Sequence, residues 1–118
     1  MEPIFRRKLL YVSKKTGKLK ILKCIIAIIV DNETGVNLIP AFMNEEAWLK
    51  TKETEYVYLW STTDDELWFK GERSGNKLQV ISWKLNCDRT AIEIRVKILG
   101  KGVACHTGQK SCFHNEAS

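Results

Sequence analysis

The chain has 118 residues, of which 44% are hydrophobic and 28% are charged. These proportions are typical of a single globular domain and exclude a disordered or fibrous chain. No apolar run approaches the roughly 20 residues needed to cross a bilayer, and the first residues lack the apolar stretch of a secretory signal. We therefore expect one soluble domain in the cytoplasm, without a membrane partner.

The formal net charge of +5 comes from the N-terminal part of the chain. Residues 1–23 contain eight Lys and Arg side chains and one acid, Glu2. Such a segment can attract phosphates, but its apolar residues predict a strand whose basic side chains face water. Only Phe5 and Tyr11 could stack on bases, so we interpret this segment as a basic hairpin and rank nucleic-acid binding last.

Most of the predicted elements are strands. Hydrophobic patterning predicts strands at residues 4–12, 19–30, 36–42, 56–61, 67–70, 78–85 and 91–98. Asn44, followed by two acids, predicts the start of a helix that runs to about Thr54. We expect an antiparallel, sheet-rich α+β domain with one main helix packed on the sheet.

The four cysteines are Cys24, Cys87, Cys105 and Cys112. The expected reducing compartment favours free thiols over disulfides, and the apolar run around Cys24 predicts a buried hydrophobic residue. The other three match the usual number of protein ligands of a catalytic zinc, whose fourth position holds water. The spacing of Cys105 and Cys112 is wider than in zinc fingers, so spacing alone leaves a metal site and scattered thiols equally open.

Six short blocks of sequence together point to a known family. In chain order they are AFMNEEA (41–47), LWFKGE (67–72), SGN (74–76), NCD (86–88), CHTG (105–108) and SCF (111–113). The residue types in these blocks, and the order of the blocks along the chain, resemble those of the phosphoribosyl-AMP cyclohydrolase family of histidine biosynthesis. The resemblance makes residues 25–113 the family-like core of a single domain over residues 1–118.

The resemblance implies a zinc-dependent hydrolase that opens the adenine ring of phosphoribosyl-AMP at the N1–C6 bond. That family forms an intertwined homodimer, so Cys87 of one chain would complete a zinc site with Cys105 and Cys112 of the other. Zinc would generate hydroxide at neutral pH. His106 would take or relay a proton, although a purely orienting role stays open. We interpret His114 as an exposed residue rather than a catalyst.

The resemblance also implies a nucleotide site and a second metal. The substrate-binding residues would be Trp60, Ser61, Lys70, Arg73, Ser74, Gly75, Asn76 and Thr107. The family is expected to bind magnesium through an acidic triplet at alternate positions around the first cysteine. Here Asp88 keeps a carboxylate, whereas Asn86 and Thr90 offer neutral oxygens, so we expect a weakened magnesium site.

Three hypotheses about function remain. The first is hydrolysis of phosphoribosyl-AMP or a closely related purine-like nucleotide. The second is a divergent paralogue that hydrolyses or deaminates a different heterocycle, because Asp64 lies where the family usually has an arginine suited to phosphate. The third is a non-catalytic, zinc-stapled dimer that binds a nucleotide or nucleic acid.

Overall fold

The computed structural model describes residues 1–118 and contains seven strands and one helix. The elements are β1 (Arg7–Val12), β2 (Leu19–Asp31), β3 (Asn37–Met43), α1 (Glu45–Thr54), β4 (Tyr58–Ser61), β5 (Glu66–Phe69), β6 (Leu78–Leu85) and β7 (Ala91–Ile98). Every predicted element is present, and the α+β, sheet-rich fold class is confirmed. No helix of the chain has the length and apolar character that crossing a membrane requires.

Strand β2 is the centre of the main sheet. Its N-terminal half forms an antiparallel hairpin with β1, and its C-terminal half lies between β3 and β7. Ile25, Ala27 and Ile29 of β2 are completely buried and pack in one core with Leu38 and Ile94. This position explains why β2 is a nearly continuous apolar run, since a strand with neighbours on both sides and covered faces has little contact with water.

Strands β2 and β7 run parallel, from Ile26 opposite Ala91 to Asp31 opposite Val96. All other strand pairs are antiparallel. The prediction of an antiparallel sheet is therefore wrong for this pair. Alternation of apolar residues shows which face of a strand is buried, but it carries no information on the direction of a neighbouring strand far away in the sequence.

The helix α1 begins and ends as its sequence predicts. The Asn44 side chain accepts a hydrogen bond from Ala47 N at 2.9 Å, and Glu45 and Glu46 occupy the first turn. The Asn44 side chain thus provides an acceptor for a backbone N–H group that has no partner within the helix. The two acidic side chains interact favourably with the positive end of the helix dipole. The helix ends at Glu55, which adopts a left-handed conformation with φ of 63°.

Two segments of interest lie at opposite ends of β7. The turn of residues 86–90 precedes β7, and residues 99–118 follow it. After β7 the chain returns to β3, where Cys112 N donates to Leu38 O at 2.7 Å. Leu38 is next to Ile39, which is level with Ile29 of β2 and Ile94 of β7 across the sheet. The chain therefore returns only as far as the middle of β7, and about half of that strand separates Cys112 from the turn.

The loop after β5 packs closely against the segment after β7. Gly71 has a φ of +87°, and a Cβ atom there would lie 2.4 Å from the carbonyl carbon of Asn76. The Asn76 side chain in turn accepts a hydrogen bond from Lys101 N at 2.7 Å. This close approach fixes the start of the segment that leads to Cys105.

Replacing Gly71 by alanine is expected to destabilise the fold more than the same change at Gly75. Both positions have positive φ, but a Cβ atom at Gly75 would have no heavy atom within 4 Å. We expect the free energy of unfolding, measured by urea denaturation, to fall by about 1 kcal/mol for Gly75→Ala and about 3 kcal/mol for Gly71→Ala. Equal losses would mean that the close approach of Gly71 to Asn76 is not required.

Candidate metal centre

Residues 104–114 form a compact loop, called here the sulfur loop, that brings Cys105 and Cys112 together. Ala104 N donates to Lys110 O, and Cys105 N donates to Gln109 O at 3.1 Å. The second arm is attached to β3 through the backbone of Cys112. Cys105 is buried and Cys112 is half-buried, so the two sulfur atoms lie at the edge of the core rather than on a free surface.

The two thiols of the sulfur loop differ in acidity. The Thr107 hydroxyl donates to Cys105 Sγ at 3.1 Å. This bond and the Thr107 backbone N–H lower the pKa of Cys105 to about 6. Burial raises the pKa of Cys112, and the neighbouring Cys105 raises it further. At neutral pH the metal-free loop therefore holds one thiolate, which is the form of cysteine that binds metals.

His114 lies close to the sulfur atom of Cys105. Its Nε2 atom lies 3.9 Å from Cys105 Sγ and 3.4 Å from Thr107 Oγ1. His106 is exposed, and its predicted part in proton transfer stays a prediction. His114 is exposed too, as expected, but its position beside Cys105 was missed. The backbone bonds from Ala104 to Lys110 and from Cys112 to Leu38 fold the loop so that His114 comes there, and no motif in the sequence signals this folding.

Lys70 adds a positive charge beside the sulfur loop. Only 7% of this residue is exposed, and its Nζ atom lies 5.0 Å from the centre of the Trp68 ring. Burial lowers the pKa of Lys70, whereas negative charge on Cys112 and Cys105 opposes this change. The predicted substrate-binding residues Lys70 and Thr107 thus lie near the same two sulfur atoms.

The loop that follows Lys70 contains four more of the predicted substrate-binding residues. Arg73, Ser74 and Gly75 are exposed. Asn76 is buried, and its side-chain oxygen accepts a hydrogen bond from the backbone N–H of Lys101. The Ser74 hydroxyl oxygen accepts a hydrogen bond from Asn76 N at 3.1 Å. The Arg73 guanidinium is therefore the exposed charged group of this loop, while Ser74 and Asn76 hold the loop in shape.

Trp60 and Ser61 lie at the other end of the β4–β5 hairpin. Trp60 Nε1 donates to the Tyr11 hydroxyl at 3.3 Å, and Ser61 Oγ accepts from Asp64 N at 3.1 Å. Ser61 pairs with Glu66, whereas Lys70 follows the far end of β5. Within one chain, these two predicted substrate-binding residues are therefore not brought together with Lys70.

A buried carboxylate, Asp65, links the β4–β5 hairpin to the β1–β2 hairpin. It accepts hydrogen bonds from the Tyr11 hydroxyl, from Ser13 Oγ at 2.8 Å and from Lys20 Nζ at 2.7 Å. The side chain of Asp65 is only 3% exposed. Lys20, Tyr11 and Ser13 lower the pKa of Asp65 to about 2. The carboxylate is thus ionised, and both of its oxygens accept hydrogen bonds from other side chains of the protein.

The third cysteine, Cys87, is separate from the sulfur loop. It is exposed in the turn between β6 and β7, at the opposite end of β7. No group of three or more His, Cys, Asp or Glu side chains in the chain is close enough to hold a metal ion. The neighbouring residues Asn86, Asp88 and Thr90 form hydrogen bonds within the turn. Cys87 is therefore not brought together with Cys105 and Cys112 within one chain.

The fold and the cysteines define a small α+β domain with a thiol-rich loop. The family model for phosphoribosyl-AMP cyclohydrolase matches residues 39–114. The chain is 46% identical over 101 residues to phosphoribosyl-AMP cyclohydrolase of Desulfatibacillum aliphaticivorans, which covers 86% of this chain and 76% of the relative. The relative of the same name in Brucella anthropi is 41% identical over 92 residues, 78% of this chain and 65% of the relative.

A third relative of that name, from Brucella abortus, is 42% identical over 92 residues, which are 78% of this chain and 77% of the relative. The match to the family model and these identities agree on one assignment. The chain belongs to the phosphoribosyl-AMP cyclohydrolase family, a family of hydrolases that act on a cyclic amidine.

Removing the hydroxyl of residue 107 is expected to make the Cys105 thiol less acidic. In metal-free protein we expect one thiol to ionise near pH 6, and Thr107→Val should move this step towards the ordinary value of about 8.5. Thr107→Ser keeps the hydroxyl and should keep the acidic thiol. The measurement is thiolate absorbance at 240 nm against pH, with Cys105→Ser to assign the step. An unchanged step in Thr107→Val would contradict the role of this hydroxyl.

Replacing Asp65 by asparagine is expected to lower stability at neutral pH. The folded-state pKa of Asp65 is about 2, below its usual value, so its contribution is present at neutral pH and is lost as pH falls towards 2. We expect Tm at pH 7 to fall by about 5 °C or more, and the difference from wild type to shrink as pH falls. Asp64→Asn, at an exposed neighbour, should leave Tm nearly unchanged. Similar effects of both variants would argue against the buried link.

Proposed function

We propose that this chain hydrolyses the N1–C6 bond of the adenine ring in N1-(5′-phosphoribosyl)-AMP, a reaction of histidine biosynthesis in the cytoplasm. The match of residues 39–114 to the family model supports this proposal most strongly. Relatives with 41–46% identity carry the same activity in their names. A different heterocyclic substrate is less favoured because Asp64, the residue that would repel a phosphate, lies at the far end of the β4–β5 hairpin from Lys70.

The donor atoms suit zinc. Soft thiolate ligands bind this ion well, and Cys105 has the low pKa that a ligand of this kind needs. In the proposed site, Cys105 and Cys112 of one chain and Cys87 of a second chain hold the ion. When bound, zinc lowers the pKa of a water molecule to about 7 and so supplies hydroxide at neutral pH.

The proposed site needs a second copy of the chain because Cys87 does not cluster with Cys105 and Cys112 within one chain. The hairpin of β1 and β2 offers a surface for this contact. It carries four apolar side chains on one face, in two directly opposite pairs: Leu10 with Ile21, and Val12 with Leu19. Each of the four is at least 60% exposed. An exposed apolar patch of this kind is typical of an interface, and we propose that a second copy covers it.

The remaining residues of the proposed site bind the nucleotide and move a proton. Water adds to C6, the C6–N1 bond breaks, and C6 becomes the carbon of a carboxamide, so one proton must pass from the water to N1. His106 is the predicted carrier, and His114 is a second candidate because it lies 3.9 Å from Cys105 Sγ. Lys70 and Arg73 supply positive charge for the phosphates.

The activity is tested by incubating the zinc-loaded protein with phosphoribosyl-AMP and following the ultraviolet change of ring opening. Turnover should be lost in Cys87→Ala, Cys105→Ala and Cys112→Ala, whereas Cys24→Ala, at the buried cysteine of β2 that is not a proposed ligand, should keep it. His106→Ala and His114→Ala in the same assay distinguish the two proton carriers. A zinc-loaded dimer that leaves this substrate intact would contradict the proposal.

Mixed dimers test whether the site is shared between chains. Neither Cys87→Ala nor Cys105→Ala should be active alone. A dimer of one chain of each kind contains one intact site, made from the unaltered Cys87 of one chain and the unaltered sulfur loop of the other. Co-expression of the two variants should therefore restore turnover. If the mixture stays inactive while dimers form, the three cysteines do not meet across two chains.

A further inference from the structure

The turn of residues 86–90 lies where the family is expected to bind magnesium, but its oxygen atoms are already in use. Asn86 Oδ1 accepts hydrogen bonds from Thr90 N and Ala91 N, both at 2.9 Å. These two bonds direct the side-chain oxygen of Asn86 towards the backbone of the turn. It is therefore not free to bind a metal ion.

Both oxygens of the Asp88 carboxylate accept hydrogen bonds. Its Oδ1 atom accepts from Thr90 Oγ1 at 2.5 Å and from Thr90 N at 3.2 Å. Its Oδ2 atom accepts from Arg6 Nη2 at 3.0 Å. Magnesium requires a nearly octahedral set of oxygen ligands, and no oxygen of Asn86, Asp88 or Thr90 is both charged and free. These residues do not fit magnesium.

Arg6 is held over this turn by the segment that precedes β1. Ile4 N donates to Arg89 O at 2.8 Å, Pro3 is buried, and Phe5 packs against the core. The attachment of these neighbours fixes the backbone at residue 6. The guanidinium of Arg6 therefore meets Asp88 because of how the chain folds, and not only through the flexibility of a long side chain.

The charges of the turn remain balanced without a divalent ion. Relative to an acidic triplet, Asn86 and Thr90 remove two negative charges, and the loss of magnesium removes two positive ones. The single carboxylate left, Asp88, pairs with the guanidinium of Arg6, and Arg89 adds a second positive charge within the turn, so no divalent ion is needed to offset negative charge. Arg6 is 61% exposed, and a guanidinium has five N–H donors in a planar arrangement that fits phosphate. One nitrogen binds Asp88, and more than half of the side chain stays exposed.

We propose that Arg6 takes the place of magnesium in this chain: the turn of residues 86–90 binds no divalent cation, and the Arg6 guanidinium binds a phosphate group of the nucleotide. The inference rests on the proposed function, because Cys87, in the same turn, brings Arg6 to the site shared between chains. Arg6 acts as a substrate-binding residue, and the phosphate is held by a fixed cation of the protein.

The cation part is tested with Mn²⁺ as a probe for magnesium, using electron paramagnetic resonance of the zinc-loaded protein. Wild type and Asp88→Asn should bind Mn²⁺ equally weakly. A triple variant, Arg6→Gln with Asn86→Asp and Thr90→Asp, restores the acidic triplet and should gain a Mn²⁺ site. Binding by wild type that is lost in Asp88→Asn would overturn the proposal, and this result does not depend on enzyme activity.

The phosphate part is tested by steady-state kinetics with phosphoribosyl-AMP in magnesium-free buffer. Wild type should turn over without magnesium. Arg6→Gln should raise KM about tenfold with kcat changed by less than about threefold, as expected for the loss of one charge-assisted contact. Arg7→Gln, at an exposed neighbour that forms no ion pair, is the matched control and should match wild type.

The outcomes separate this proposal from the proposed function. An enzyme that requires magnesium, or an Arg6→Gln variant with an unchanged KM, would overturn the role of Arg6 and leave the cyclohydrolase assignment intact. A protein without any turnover would overturn the assignment, while the Mn²⁺ measurement would still decide whether the turn of residues 86–90 binds a divalent cation.

Discussion

The parallel pairing of β2 with β7 is the constraint on which the rest of the structure depends. It fixes β7 across the sheet, so that the turn of residues 86–90 lies at one end and the sulfur loop at the other. The three cysteines suited to zinc are divided between these ends. Within one chain, the three sulfur atoms are therefore not brought together. The proposed zinc site therefore needs ligands from two chains, and the proposed reaction needs a dimer.

Charged groups in this protein are placed by hydrogen bonds to neighbours from other parts of the chain. Asp65 is ionised because Lys20, Tyr11 and Ser13 surround it, and Cys105 is acidic because Thr107 donates to its sulfur. Buried or half-buried polar groups need such partners, since an unpaired one is costly away from water. The Arg6–Asp88 pair follows the same pattern on a more exposed surface, and there it offers a cation where the family is expected to use a metal ion.

Much of the secondary structure could be predicted because it depends on local patterns. The alternation of Ile92, Ile94 and Val96 with charged residues predicted β7, and the Asn44 cap predicted the helix. Of the three predicted zinc ligands, Cys105 and Cys112 lie together and Cys87 lies apart, and the binding of zinc stays a prediction. The position of His114 beside Cys105 was not predicted, because it depends on how the sulfur loop closes against β3, and that closure has no local signature.

The sequence by itself determined the elements, the fold class and the family. Each of the signals involved, which are the apolar periodicity, the helix cap and the ordered blocks around the cysteines, lies within a short stretch of the chain. The tertiary structure alone decided the direction of β7, the separation of Cys87 from the sulfur loop and the pairing of Arg6 with Asp88. Each of these joins residues far apart in the sequence, and such contacts are set by the packing of the whole sheet rather than by any one segment.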